Sequence, residues 1–430
     1  MKRRCMHNIQ PFNLPENQTE RDAAMRDLFK NVSQQIANDL PEEFRGGREN
    51  ALNKLNQIRA VEYGKSRNFL NGSVTHLSPY LRHGCITLKE TVNFVQAHFG
   101  LKAEKLLFEL AWREYWRNVW YANCEQILHD MAAPKVQLGF NPLPEELKTA
   151  NTGLPCMDAF IQALNEKGYL HNHARMWLAS YLVHWRKTDW RQAADWMHHL
   201  LLDGDYASNH LSWQWVASTF SSKPYFFNKE NLAKYSLNQF CEKCTAKCPF
   251  DDSYSNLEKK LFQATVQAPR RLTTSAAQDS KPAKDDKTIV WIHDEMLNPV
   301  HPLMDAPHEK IFIFDPNFYQ AWSILRLQFI ADCLAQIPKL SIWVGVTSEV
   351  FAHLNVQKII SQQTPNTLIK AQAHGYQVEW VAEKNVSSAA SGDINNLYSF
   401  SKFWKIASQD FLKRNNGLIR FVYPSHLYRF

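Results

Sequence analysis

The chain changes character once, across a polar tract at 270–287, and that change limits the folds open to it. Before the tract, from about Ala51 to Phe262, apolar residues recur at helical spacing through ITLKETVNFVQAHF, AEKLLFELAWREYWRNVWYANCEQIL and WRQAADWMHHLLL. Almost nothing there alternates with the period of a strand. After it, TIVWI (288–292), KIFIFD (310–315), LSIWVGV (340–346) and QVEWV (377–381) are short apolar runs separated by helical stretches such as ILRLQFIADCLAQI. Buried strands alternating with helices predict a doubly wound, mostly parallel sheet. The expected fold class is α and α/β: an all-helical domain over 46–269, a linker at 270–287 and a Rossmann-like α/β domain over 288–430. The linker, RLTTSAAQDSKPAKDDK, is small, polar and without apolar period. Residues 1–45 are polar, run into the breaker-rich PEEFRGGREN, and read as a loose N-terminal arm with a helix.

At 430 residues and 45% hydrophobic composition the chain can build two packed cores. No tract is long and apolar enough to span a bilayer, and the N-terminus lacks the apolar segment of a secretory signal. A cytoplasmic monomer is the default expectation. Five of the eight cysteines are scattered singly, which suits buried thiols in a reducing compartment rather than a disulfide framework. The net charge of +7 favours a polyanionic partner, provided the basic residues collect on one face.

Within the helical half, residues 152–225 concentrate Asn172, Arg175, Asp203, Asp205, Asn209, Trp213 and Trp215 among amphipathic helices. Acids, an amide and indoles in an apolar setting are what a buried redox cofactor with polar edges requires. Taken singly, these features have plainer readings: DGD before a helix is an ordinary cap, Thr75 and Ser78 can be N-caps, and Trp112 and Met176 can be core.

In order along the chain, FRGGRENALNKL, VEYGKSRNF, THLSPYLRHGCIT, FELAWREYW, TGLPCMDA, GYLHNHARM, DWR, DGDYASN and WQWVAST resemble the landmarks of the photolyase and cryptochrome family over residues 46–225. That resemblance implies a helical domain that binds FAD beneath a hole accepting a flipped pyrimidine dimer. Tyr63 and the segment Thr75, His76, Leu77 and Ser78 match residues around the flavin phosphates, with Val74 where a hydroxyl residue is usual. Arg113, Arg175, Asp203, Gly204 and Asp205 match the polar shell of the ribityl chain and isoalloxazine, Arg175 being expected to pair with Asp203. Asn209 matches the residue facing the flavin's reactive nitrogen.

Glu109, Trp112, Asn172, Met176 and Trp215 match the lesion hole: indoles to stack on extruded bases, a thioether for soft packing, and a carboxyl and an amide for the pyrimidine edges. With Asn209 they are the expected catalytic residues. Asn172 and Met176 resemble the cyclobutane-dimer type rather than the (6-4) type. Arg67, Glu109, Trp112, Asn172 and His173 are the expected DNA contacts. His173 stands where an arginine commonly holds the backbone, so weaker phosphate attraction is expected. Trp190 and Trp213 match the first two tryptophans of the electron-transfer chain, and the segment 124–151 where a third would stand has none. Trp177, Trp185 and Trp196 are the substitutes on offer.

FCEKCTAKCPFD groups Cys241, Cys244 and Cys248. Three thiolates could hold part of an iron–sulfur or zinc site, with Cys124, Cys156 or a histidine as fourth ligand. The spacing matches the iron–sulfur photolyases poorly, so unligated or reversibly oxidised thiols are favoured. The α/β half resembles the family's antenna domain through TIVWIHDEMLNP, KIFIFDPNF and LYSFSKFWK, but follows the flavin domain instead of preceding it, as in a circular permutation. WIHDE replaces the usual arginine-containing strand end, leaving an antenna chromophore of unspecified identity as an open expectation.

The resemblance implies a light-dependent repair flavoprotein, a deoxyribodipyrimidine photolyase (a carbon–carbon lyase), that splits cyclobutane dimers in ultraviolet-damaged DNA by electron transfer from excited reduced FAD. The alternative is a cryptochrome-like blue-light receptor that binds FAD without repair. A third reading is dark redox chemistry at the cysteine cluster.

Overall fold

The computed structural model describes residues 9–31, 38–262, 287–388 and 399–413. Apart from Lys287, the expected linker lies outside them.

The helical half runs through α1 (Gln18–Leu28), α2 (Arg48–Asn56), α3 (Ala60–Ser66), α4 (Ser78–Arg82), α5 (Leu88–Phe99), α6 (Glu104–Asn123), α7 (Pro155–Lys167), α8 (Asn172–Ser180), α9 (Trp190–Leu200), α10 (Tyr206–Ala217), α11 (Lys229–Tyr235) and α12 (Tyr254–Leu261). Local chemistry sets several of these ends. Asn17, Thr87, Asp189, Asp205, Asn228 and Ser253 each cap a helix N-terminus by accepting a backbone N–H. Gly168, in the left-handed conformation, ends α7.

The remainder is the expected doubly wound sheet: β2 (Thr288–Ile292), β3 (Glu309–Phe314), β4 (Leu340–Val344), β5 (Lys358–Gln362) and β6 (Gln377–Val381), all parallel, with α13 (Pro316–Tyr319), α14 (Ile324–Ala335), α15 (Thr347–His353) and α16 (Thr367–Gln372) between strands and α17 (Phe400–Phe411) after them. With β1 (Gln10–Pro11) at one edge, the spatial order is β1-β4-β3-β2-β5-β6, which reverses direction between β2 and β5. Alternation along each strand feeds two layers: Ile289, Trp291, Ile311 and Ile313 face α15 and α16, while Val290, Ile292, Phe312 and Phe314 face the other side.

Two findings differ from what the sequence suggested. The described part of residues 1–45 is docked rather than loose. Gln10–Pro11 forms β1, antiparallel on the sheet edge, and α1 packs on α14. Arg21 and Arg45 both grip the Asp332 carboxylate on α14, at 2.9 and 2.8 Å, and Arg45 also holds Asp22 at 2.8 Å. These charges are buried, and pairing offsets the cost of removing them from water.

Second, the two halves do not have wholly separate cores. One continuous apolar cluster joins Val92, Leu107 and Tyr115 of the helical half to Val290, Phe312, Phe329 and Phe403 of the other. A second cluster, built on α7, α8, α9 and α10, belongs to the helical half alone.

Candidate flavin and substrate site

Three helices carry the site, and α10 packs against both α6 and α8. Helix α6 has no glycine or proline over twenty residues and buries Leu106, Leu107, Leu110, Ala111, Tyr115, Val119 and Trp120. Its half-buried stripe, Lys105, Phe108, Glu109, Trp112, Arg113 and Arg117, follows the i, i+3, i+4 rhythm, so these side chains share one face. Helix α8 contributes Asn172, Arg175 and Met176, and α10 contributes Asn209, Trp213 and Trp215.

The expected pairing of Arg175 with Asp203 is present. Arg175 Nη2 lies 3.0 Å from Asp203 Oδ2, while its Nε donates to the Leu170 carbonyl at 2.8 Å. Asp205 caps α10, accepting the Ser208 N–H at 2.7 Å, and lies 3.9 Å from Arg113. Burial pushes the Asp205 carboxyl up, but the Arg113 and Arg82 guanidiniums outweigh it and hold the group below the usual range. Asn209 Nδ2 donates to the Ala194 carbonyl of α9 at 2.8 Å, which fixes the amide plane.

The segment Thr75–Ser78 enters a helix of only five residues, so it offers local N–H groups and hydroxyls rather than a macrodipole. His76 has φ 53°, a left-handed conformation costly for a residue with a side chain. Its ring lies 4.9 Å from Tyr169, which stacks on Phe44 at 4.9 Å and sits beneath the Arg175 guanidinium at 5.5 Å. Phe44 and Tyr169 were not singled out from the sequence. Both stand inside quoted motifs, FRGG and GYLHNH, but only the fold shows that they connect His76 to Arg175.

FAD fits this donor set on one observation in particular. Asp203 Oδ1, His76 Nδ1 and His171 Nε2 are buried without a hydrogen-bond partner among the described residues, and most buried polar atoms in folded proteins have one. A cofactor with ribityl hydroxyls and ring nitrogens would supply the partners. Burial lowers the pKa of His76, and lowers that of His171 to about 4, so both rings are neutral at pH 7. Tyr63 is raised by burial and stays protonated.

The expected lesion-hole residues each have their own neighbours. Glu109 is held by Lys105 at 2.8 Å and Arg67 at 3.0 Å. The Trp112 ring stacks on Phe400 of α17, 3.7 Å between centroids and 8° between planes, a partner that no motif pointed to. Asn172 is exposed and its amide lies 3.8 Å from the Met176 sulfur. Trp215 tilts on Tyr225 at 5.3 Å. His173 packs against Trp177 at 4.5 Å and Tyr235 at 4.8 Å, and burial lowers its pKa to about 4.

Trp213 and Trp190 are both buried on packed helices, and Trp190 Nε1 donates to Asp130 Oδ1 at 2.9 Å. The substitutes lie elsewhere in their contacts: Trp177 stacks on Phe160, and Trp185 donates to the Pro249 carbonyl. Among the described residues no tryptophan ring contact extends Trp190 outward.

Cys241, Cys244 and Cys248 line a cavity of about 310 Å³ together with Cys156, whereas Cys124 is exposed at the end of α6. Among the described residues no three His, Cys, Asp or Glu side chains are grouped closely enough to hold a metal ion. Burial raises the Cys156 thiol to about 12 and raises Cys241 and Cys248 as well, which keeps them as poorly nucleophilic thiols. The donor set therefore does not fit a single bound ion.

At the carboxyl ends of β2 and β5, where doubly wound sheets bind ligands, Glu295 meets Arg117 of α6 at 3.2 Å and Asp294 meets Arg82 at 2.8 Å. The cavity left there is about 40 Å³, room for roughly one water rather than a chromophore.

Residues 106–291 match the family model described as the FAD binding domain of DNA photolyase. A deoxyribodipyrimidine photo-lyase of Streptomyces griseus is 34% identical over 45% of this chain and 42% of its own length. A chloroplastic/mitochondrial cryptochrome DASH of Ostreococcus tauri is 29% identical over 45% of this chain and 37% of its own. A solved cryptochrome of Synechocystis sp. PCC6803 is 26% identical, covering 46% of this chain and 44% of that one, with a TM-score of 0.41. The chain thus spans less than half the length of these relatives. No helix among the described residues is long and apolar enough to cross a membrane.

Proposed function

We propose that the chain belongs to the photolyase and cryptochrome family through its helical half and is a light-dependent repair flavoprotein acting on cyclobutane pyrimidine dimers in DNA. The observation that carries this reading is the pairing of Arg175 with Asp203 and of Arg113 with Asp205, on helices that pack through α10. These helices combine a flavin-type polar shell (Arg113, Arg175, Asp203, Asp205, Asn209) with indoles, a thioether and an amide suited to an extruded base pair (Trp112, Trp215, Met176, Asn172).

Bound FAD, once reduced and excited, would supply the electron that opens the dimer. The chain's own residues bind and orient. Arg175 holds Asp203 at the edge where ribityl hydroxyls would bond, and Asn209, locked to Ala194, presents a neutral amide to the isoalloxazine. Trp112 and Trp215 offer flat apolar faces to the extruded pyrimidines, and Glu109, between Arg67 and Lys105, offers carboxyl oxygens to their N–H groups. No nucleophile or general base is needed. Preorganised charges are the protein's contribution.

In the same reading the two halves are a permuted pair, flavin unit first, and the α/β unit acts as scaffold. The core shared across the halves and the ion pairs filling the strand-end crevice support that.

The test is direct: load the purified chain with FAD, reduce it, and illuminate it with an oligonucleotide containing one thymine dimer. Light-dependent loss of the dimer is expected. An unchanged dimer in both single- and double-stranded substrate, with flavin bound, would shift the assignment to a photoreceptor.

A further inference from the structure

The loop Asp203-Gly204-Asp205 is held from the other half of the molecule. The Gly204 carbonyl accepts two guanidinium hydrogen bonds, from Arg82 Nε at 2.7 Å and from Arg326 Nη2 at 2.7 Å. Arg82 is on α4 and Arg326 is on α14 of the α/β unit. Arg326 is fully buried, and among the described residues no carboxylate lies within ion-pair distance of it. Its charge is instead met by backbone. Nη1 donates to the His198 carbonyl at 3.1 Å, and the guanidinium carbon lies over the Trp322 indole, 3.4 Å from the ring centroid.

His198 is in the last turn of α9, where carbonyls lack partners inside the helix and the dipole favours a cation. The start of α14 satisfies the neighbouring carbonyls too. Ser323 N donates to His199 O at 2.9 Å and Ser323 Oγ to Leu200 O at 3.2 Å. One α/β helix therefore closes the end of α9 and grips the loop that follows it. The contact leaves no room for a side chain at Gly204, since a Cβ there would sit 2.3 Å from His198 O and 2.4 Å from Arg326 Nη1.

We infer that Arg326 is a positioning residue for the flavin site: by fixing the Gly204 carbonyl it sets the two carboxylates on either side, Asp203 toward Arg175 and Asp205 toward Arg113. This rests on the flavin reading above and gives the α/β unit a part in it. A buried, unpaired guanidinium is costly to keep, and burial together with Arg82 lowers its pKa to about 9, so a purely structural position would be better filled by an apolar residue.

The experiment compares the natural chain with Arg326→Gln, Arg326→Lys and, as a control on the same helix, Ile330→Val. Two readouts are taken: amide hydrogen exchange over residues 201–209 in flavin-free protein, and FAD affinity together with the reduction potential of the bound flavin. Arg326→Gln should speed exchange in that segment at least tenfold, weaken FAD binding at least tenfold and shift the potential. Arg326→Lys, which keeps the charge and is the safer variant to fold, should fall between. Ile330→Val should leave all three unchanged.

Unchanged exchange over 201–209 in both Arg326 variants overturns the inference whatever flavin does. Faster exchange in a chain that binds no FAD would retain the positioning role and defeat the flavin reading instead. Faster exchange with FAD affinity and potential unchanged would overturn the functional half.

Discussion

Arg175 and Asp203 form a half-used ion pair: Nη2 lies 3.0 Å from Oδ2, while the buried Oδ1 has no partner among the described residues. A structural salt bridge would be expected to satisfy both oxygens, because an unpaired buried acceptor costs on the order of 1–3 kcal/mol. The open oxygen is explained if a ligand hydroxyl completes it. Asp203→Ala should therefore lower the flavin content of the purified protein and destabilise the fold by about 3 kcal/mol, since it strands the Arg175 charge. Asp203→Asn keeps a neutral partner and should lose less of both. Flavin absorbance per protein and urea unfolding measure the two effects, and an Asp203→Ala chain with normal flavin content would remove Asp203 from the site.

Glu114 predicts a pH dependence. Its carboxylate accepts the Val386 and Ser387 N–H groups at 2.7 and 2.9 Å, but burial dominates and lifts its pKa to about 7. The unfolded chain releases this proton near the ordinary glutamate value, so between there and pH 7 the folded state binds more protons than the unfolded one. This contribution to stability is full below the ordinary value and is lost as pH rises, at up to about 1.4 kcal/mol per pH unit. Glu114→Gln should flatten that part of the stability–pH curve. A slope identical in the variant would show that another group titrates there.

The Trp112–Phe400 stack ties α17 to the site helix α6. Phe400 is buried and also meets Phe108 edge-on at 5.0 Å. Phe400→Ala should cost about 3 kcal/mol, within the range for deleting a buried aromatic, and Phe400→Leu about half of that. Denaturant midpoints decide it. Equal, small losses in both variants would mean that α17 is only loosely attached.

Much of this was legible in the sequence because the signals were local. Helical period, strand period and the polar tract between them give the two halves, and the ordered motifs bring Arg175 to Asp203 as expected. What was not legible lies at long sequence separation. Phe400 is far along the chain from Trp112, and Arg326 from Gly204, and no periodicity records such pairings. Residues 1–45 misled for a related reason: Arg21 and Arg45 look like solvated charges until Asp332 is seen between them. For Cys241, Cys244 and Cys248, close spacing in sequence does not by itself bring three sulfurs within reach of one ion among the described residues.

If Trp213 and Trp190 relay electrons, replacing either with phenylalanine should slow light-driven reduction of bound flavin at least tenfold while changing stability little. Trp190→Phe leaves Asp130 still bonded to Arg191 at 2.8 Å, so the variant strands no charge. Photoreduction with an added electron donor and no DNA is the measurement. An unchanged rate in both variants would mean that electrons enter by another route.

His173 gives the sharpest test of how the protein meets DNA. Packed on Trp177 and Tyr235 and lowered to about 4 by burial, it is neutral throughout the range in which binding is assayed and adds no attraction for phosphate. Lowering the pH from 7 to about 6 should therefore not strengthen binding through this residue, because protonation begins well below that. His173→Arg should place a permanent cation near the exposed Asn172, raise affinity for dimer-containing DNA, and steepen the plot of log affinity against log salt by about 0.9, the change for one added phosphate contact. If the slope is unchanged while the variant remains folded, the backbone does not pass over α8, and the DNA contacts must be sought instead around Arg67 and Lys105, where the positive charge is already committed to Glu109.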